Sequence, residues 1–153
     1  MVVNIRGDSE DWRARAISNF HISPFELDGV GFLSAEGFIQ GIKFPEGDNN
    51  RLMGTILSGI QAKNLGKKAE RKYVWWFDRK IEYGSDEHHR LIARGIIAKF
   101  SQDHDSMMAL MMTSGEELTH DTGVPEDPNT SLPAELFCRI LTKIRNAGFT
   151  EEI

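Results

Sequence analysis

The sequence predicts an α+β protein, mainly helical, whose β component is a short hairpin or small sheet. Three observations predict it. Apolar residues recur at helical spacing over 35–44, 49–57, 86–100, 105–111 and from 133 onward. Strand-like apolar runs are few and short, around 2–5, 20–32 and 73–78. The strand–helix–strand alternation that builds a parallel sheet is not visible.

Val2, Val3 and Ile5 read as a short strand ending at Arg6-Gly7-Asp8. Between Phe20 and Phe32, Asp28-Gly29 is a hairpin turn signal, because glycine accepts positive φ there. Ser34 reads as the N-cap of a helix from Ala35 to Phe44, and Glu36 in its first turn suits the helix dipole. Pro45 to Asp48 ends that helix. Asp48 or Asn49 starts another, with Leu52, Met53, Ile56 and Leu57 at helical spacing. Ser58-Gly59 breaks it, and a short helix runs to Gly66 as its C′ residue.

Tyr73 to Asp78 is dense in aromatics and reads as a buried strand with charged edges, or as a stacking surface. Ser85 or Asp86 caps a helix whose apolar face is Leu91, Ile92, Ile96, Ile97 and Phe100. Asp105 starts the next. Residues 113–131 read as a long ordered loop, and a last helix starts near Pro133 and stops at Gly148.

The chain has 153 residues, which suits a single domain, 1–153, with a sizeable core. Its net charge of −5 excludes a broadly basic surface, yet residues 63–72 hold five basic groups and one acid. The one cysteine, Cys138, cannot form an internal disulfide and sits among the apolar residues of the last helix. The five histidines show no ligand-pair spacing, so no metal and no cofactor are expected. Without a secretory signal or an apolar run near the ~18 residues that span a bilayer, the expected setting is cytoplasmic, with no membrane partner.

Glu36, Gln40 and Lys43 share one helical face. A carboxylate, an amide and an amine on one stripe can work on a polar ligand. Spacing alone favours the plainer alternative, a solvated face with a loose charge pair. Asp78, Asp121, Glu126 and Asp127 are further carboxylates near candidate site segments.

In order along the chain, these segments resemble the NADAR, or YbiA-like, family. The residues are Ser18-Asn19-Phe20, Pro24-Phe25, and the stretch from Ser34 through Glu36, Gln40 and Lys43 to Phe44. Ala62-Lys63-Asn64-Leu65-Gly66 follows, then Trp75 or Trp76, Ala98-Lys99-Phe100, Leu110 to Leu118 with Thr113 and Gly115, and Ile140 to Arg145. The resemblance covers about residues 17–148. The family's Trp-Gly in the loop after the Thr-Gly element has no counterpart in 121–131. Asp127 is the best match for the Asp of that loop, with Asp121 the alternative. Ile81 to His89 is an insertion. The resemblance identifies the chain as a divergent member with a YbiA-like domain.

The resemblance implies an enzyme that cleaves an N-glycosidic bond between ribose and a nucleobase-like ring. Its substrate would be ADP-ribose on guanine, as nucleoside or in nucleic acid, or a phosphoribosylamino intermediate of the riboflavin pathway. It implies Glu36, Lys43 and Asp127 as catalytic residues, with Lys43 a candidate Schiff-base amine and Lys99 the runner-up. It implies Asn19, Phe20, Gln40, Trp76 and Lys99 as substrate-binding residues, with Trp76 stacking the base or closing the pocket. The alternatives are a binding module for ADP-ribose or a related nucleotide, without turnover, and a structural, partner-binding helical domain.

Overall fold

The computed structural model describes residues 1–147. In chain order its elements are β1 (Val2–Asn4), α1 (Trp12–Ile17), β2 (Phe25–Leu27), β3 (Val30–Phe32), α2 (Ala35–Gly41), α3 (Asn49–Gly54) and α4 (Gly59–Gly66). They continue with β4 (Tyr73–Trp76), β5 (Arg79–Glu82), α5 (Asp86–Gln102), α6 (His104–Met111), β6 (Glu117–Thr119) and α7 (Ala134–Ala147). The strands form three two-stranded sheets, β1 with β6 (parallel), β2 with β3 and β4 with β5 (both antiparallel). The mainly helical α+β class expected from the sequence is the observed one. The expected helix stop at Gly148 lies outside the described residues.

The Asp28-Gly29 turn forms as expected. Both residues have positive φ, 51° and 84°, the backbone that lets a two-residue turn follow strand twist. It pairs Phe25 with Phe32, whose rings stack 5.8 Å apart on the inner face. Phe38 meets both edge-on, and Trp76 stacks on Phe32 at 6.2 Å. These four rings, from three separate chain segments, sit at the centre of the core.

All seven residues of α2 are buried. Ser34 caps the helix by accepting from the Gly37 N–H, while its own hydroxyl donates to the Leu57 carbonyl. Helix α2 crosses α3 at a glycine contact. A Cβ on Gly54 would lie 2.7 Å from the Gly41 Cα, so the backbones meet only because neither residue has a side chain.

Several expectations need correction. Helix α1 has no counterpart among the expected elements: it has only six residues, too few to show a period, and the Asp11 carboxylate caps it by accepting from the Arg13 N–H. Helix α2 ends at Gly41, and Ile42 to Phe44 continue as tight turns. Helix α3 ends at Gly54 rather than Leu57. The loop expected over 113–131 contains β6, whose partner β1 lies more than a hundred residues away and leaves no local signal. Strand β5 returns beside β4 through a turn in which Phe77 takes a φ of 54°.

Candidate active site

A carboxylate and an amine lie on one face of a helix that has no solvated side. Glu36 and Gln40 are in α2 and Lys43 lies just beyond it, and their exposures are 9%, 8% and 5%. That burial excludes the solvated-face reading. Gln40 donates from Nε2 to the Glu36 Oε2 at 2.7 Å. Burial raises the Glu36 pKa, against the Gln40 hydrogen bond and the electrostatic pull of Lys43, Lys63 and His120. Burial is also the main cause that lowers Lys43, to about 8; Arg71 lowers it further, while Glu36 and Asp127 pull it back up. The Lys43 Nζ lies 5.9 Å from the Tyr83 ring centroid and makes no hydrogen bond among the described residues.

The 70s turn and the loop after β6 meet beside this amine. Arg71 donates from Nη1 to the Asp127 Oδ2 at 2.6 Å and to the Asn129 carbonyl at 3.4 Å. Tyr83 donates its hydroxyl to the same carbonyl at 2.6 Å. Asp127 thus lies near enough for its charge to bear on Lys43, as an exposed carboxylate held by Arg71. Arg71, first of all, lowers its pKa. Asp121 instead accepts from the Gly123 N–H in its own turn.

Asn19 and Phe20 stand beside the helix. The Asn19 carbonyl accepts from the Glu36 N–H at 2.9 Å, and its side-chain amide makes no hydrogen bond among the described residues. The Phe20 N–H donates to the Ser18 hydroxyl, and its half-buried ring packs on Gly7, where a Cβ would meet the Phe20 Cβ at 3.1 Å.

Two expected binding residues are corrected. Trp76 is 5% exposed, stacked in the aromatic core, and donates from Nε1 to the Asp28 Oδ2 at 2.8 Å. Arg51 covers it at 5.4 Å, so its indole is structural and presents no face to a ligand. Along β4, alternation leaves Trp75 half-exposed on the other face. Lys99 has zero exposure and donates to the Ile17 and Ser18 carbonyls at 3.1 and 2.8 Å. It caps the end of α1 and holds the turn that carries Asn19, so its amine is committed to the backbone and not offered to a ligand. Burial pushes its pKa down to about 7.

Reading the sequence passed over Tyr83 and gave no role to His88 or His120. Tyr83 falls in the insertion, where the resemblance offers no guide. His120 donates from Nδ1 to the Ile5 carbonyl at 2.7 Å, and its partner strand is remote in sequence. His88 accepts at Nδ1 from the Gly84 N–H at 2.9 Å and its ring lies 5.0 Å from that of Tyr83. Two grooves lie elsewhere. One of about 440 Å³ runs between the starts of α5 and α7, and a shallower one of about 510 Å³ lies beside β2 and β3; neither contains Glu36 or Lys43. Among the described residues no group of side chains has the make-up of a metal site. No described helix is long and apolar enough to cross a membrane.

The chain is similar in sequence and fold to known proteins. The family described as bacteriophage protein GP30.3 matches residues 11–146. An uncharacterised 17.1 kDa protein from the Gp30–rIII intergenic region of Enterobacteria phage T4 is 28% identical over 143 residues, 89% of this chain and 92% of that protein. The NMR structure of the E. coli protein YbiA matches with a TM-score of 0.69 at 18% identity, covering 96% of this chain and 84% of the other. That likeness establishes a YbiA-like fold.

Proposed function

The chain belongs to the bacteriophage protein GP30.3 family and has the fold of YbiA, and from that premise we propose that it hydrolyses an N-glycosidic bond between ribose and a nucleobase-like ring. The observation that carries the reading is the Lys43 amine, buried beside the Glu36 carboxyl and committed to no hydrogen bond among the described residues. A structural lysine at that depth normally has an acceptor, as Lys99 does.

In the proposed reaction, the unprotonated Lys43 Nζ adds to the anomeric carbon. The C–N bond to the base breaks, and the base leaves with a proton that Glu36 relays from Nζ. The ribose ring then opens to a Schiff base, its ring oxygen taking the second Nζ proton. Water adds to the imine carbon, the aldehyde sugar leaves and closes, and the amine is restored. The net change is one water consumed per bond cleaved. Asn19 and Gln40 hydrogen-bond ribose or base, and Asp127 with Arg71 borders the sugar–phosphate side. The favoured substrate is ADP-ribose on guanine, because Arg71 and the basic stretch 63–72 supply phosphate partners. A phosphoribosylamino compound is the smaller candidate.

Borohydride is added to protein mixed with ADP-ribosylated guanosine or with an aminouracil phosphoribosyl compound, and the products are read by mass spectrometry. A sugar adduct on Lys43, absent in Lys43→Ala, supports the proposal. Sugar release with no adduct, or an adduct that survives Lys43→Ala, removes the Lys43 route. Because Asp127 is already held by Arg71 and the loop lacks the Trp-Gly pair, a second reading is a nucleotide-binding module. Tight binding with no sugar released would favour it.

A further inference from the structure

Three buried side-chain polar atoms have no hydrogen-bond partner among the described residues, the Gln40 Oε1, the His88 Nε2 and the Arg145 Nε. Arg145 uses its Nη1 on Thr113 and Glu116, far from the amine in its role, as a brace for the turn before β6. The Gln40 Oε1 is turned towards Gly66, where a Cβ would meet it at 1.7 Å, and the His88 ring lies within reach of the Lys43 charge. Gln40 is in α2, three residues before Lys43, which lies just beyond that helix. His88, in the first turn of α5, has zero exposure and shares the Tyr83 ring with the Lys43 Nζ.

The histidine's tautomer is fixed by its backbone. Gly84 has a φ of 79°, a conformation natural to glycine, and its N–H donates to the His88 Nδ1. The acceptor nitrogen is therefore Nδ1, and the proton of the neutral ring sits on Nε2. That N–H lies on the far side of the ring from Gly84, buried and without an acceptor. An uncompensated buried donor is costly, so a role for it is to be sought in what it faces.

We propose that His88 is a positioning residue for Lys43: its buried, tautomer-fixed Nε2–H presents a positive dipole to the amine and favours the form of Lys43 that carries a lone pair. A buried ammonium group beside that ring would face an N–H dipole with no means of accepting from it. A free amine can accept from it, directly or through a water. The other groups that bear on Lys43 are Arg71, which also disfavours the ammonium, and Glu36 and Asp127, which favour it. Those that bear on His88 are His89, beside it with ring centroids 5.8 Å apart, Lys43 and Tyr83. Burial, with His89 and Lys43 adding to it, holds His88 down at about 4, so the ring stays neutral across the range in which Lys43 titrates. The inference rests on the proposed reaction only for its purpose. Its test reads protonation and needs no substrate.

The first measurement is on the unaltered protein. Long-range ¹H–¹⁵N correlation of the histidine rings should show His88 protonated on Nε2 alone, with its ¹⁵N shifts inflecting where Lys43 titrates, near pH 8. Protonation on Nδ1, or shifts flat between pH 6 and 10, would overturn the proposal. The second uses trace acetic anhydride against pH, with the Lys43 peptide quantified by mass spectrometry. His88→Asn keeps an acceptor for Gly84 and loses the inner donor, so the Lys43 midpoint should rise by about one pH unit, roughly tenfold in protonation equilibrium. His88→Gln places an amide donor near the Nε2 position and should hold the midpoint closer to the parent. Equal midpoints in parent and His88→Asn overturn the proposal. If neither variant folds, the ring-nitrogen titration decides alone. Loss of glycosidase activity with these titrations intact would count against the proposed reaction and leave this inference standing.

Discussion

Arg71 and Asp127, 56 positions apart, meet in a 2.6 Å contact between Nη1 and Oδ2 near enough to Lys43 that both charges bear on its amine. Asp127 thereby borders the site without entering it. Asp127→Asn is expected to raise KM about three- to tenfold and leave kcat within about twofold, since it loosens binding more than chemistry. A kcat collapse with KM unchanged would restore Asp127 to the reaction itself.

Glu36 and Lys43 should separate by pH as well as by substitution. The proposed nucleophile is the unprotonated amine, so kcat/KM should rise with pH through about 8, where Lys43 loses its proton. Glu36→Gln removes the proton relay and should cost about 10²-fold or more in kcat, with substrate still bound. A pH profile flat from 6 to 10 in the unaltered protein would count against the amine.

Gly66 holds the Glu36–Gln40 pair from outside. A Cβ there would lie 1.7 Å from the Gln40 Oε1, so Gly66→Ala must push the amide off the carboxylate. The expected cost is about 1–3 kcal/mol of stability for overpacking, together with lost activity. Denaturant unfolding and a turnover assay check both halves. An unchanged midpoint would mean that the Gln40 rotamer is not fixed.

Lys99 should give the fold a pH dependence. Its folded pKa, about 7, lies below the value of an unfolded lysine, about 10.4. Between those values the unfolded chain binds more protons than the native one, so stability rises with pH from about 7 towards 10. Lys43, also lowered by burial, contributes with the same sign above 8. Lys99→Met should flatten the rise below pH 8 in urea titrations. It also strands the Ile17 and Ser18 carbonyls, each worth about 1–3 kcal/mol if left unpaired.

Trp76→Phe tests the reassignment of that ring to the core. It removes the Nε1–H bond to Asp28 and some packing on Phe32 and Phe38. A loss of about 1–2 kcal/mol is expected, with substrate KM unchanged. A large KM increase at unchanged stability would return Trp76 to the binding surface.

The local features were readable in the chain. Ser34 announces its cap, Asp28-Gly29 its turn, and the Leu91 to Phe100 stripe its helix, because each rests on neighbours a few positions apart. The meaning of the Glu36–Lys43 face was not. Spacing tells which side chains share a face, whereas burial of that face depends on α3, α4 and α5 arriving around it. Trp76 and Lys99 misled for the same reason. An indole or an amine in a site-like motif looks identical in sequence whether its partner is a ligand, Asp28 or the carbonyl of Ser18. His88 and Tyr83 were silent because their roles come from an insertion packed against a distant helix.

The pairing of β1 with β6 sets an order of events in the cell. Val2 to Ile5 find their partner strand only after Thr119 has been synthesised, and the Ile5 carbonyl then receives His120. Until then that apolar segment is unpaired, and His120, one of the groups that bear on Glu36, is missing. The β1–β6 pair is therefore a late product of synthesis: a chain arrested before residue 117 lacks both it and the His120 contact to Ile5.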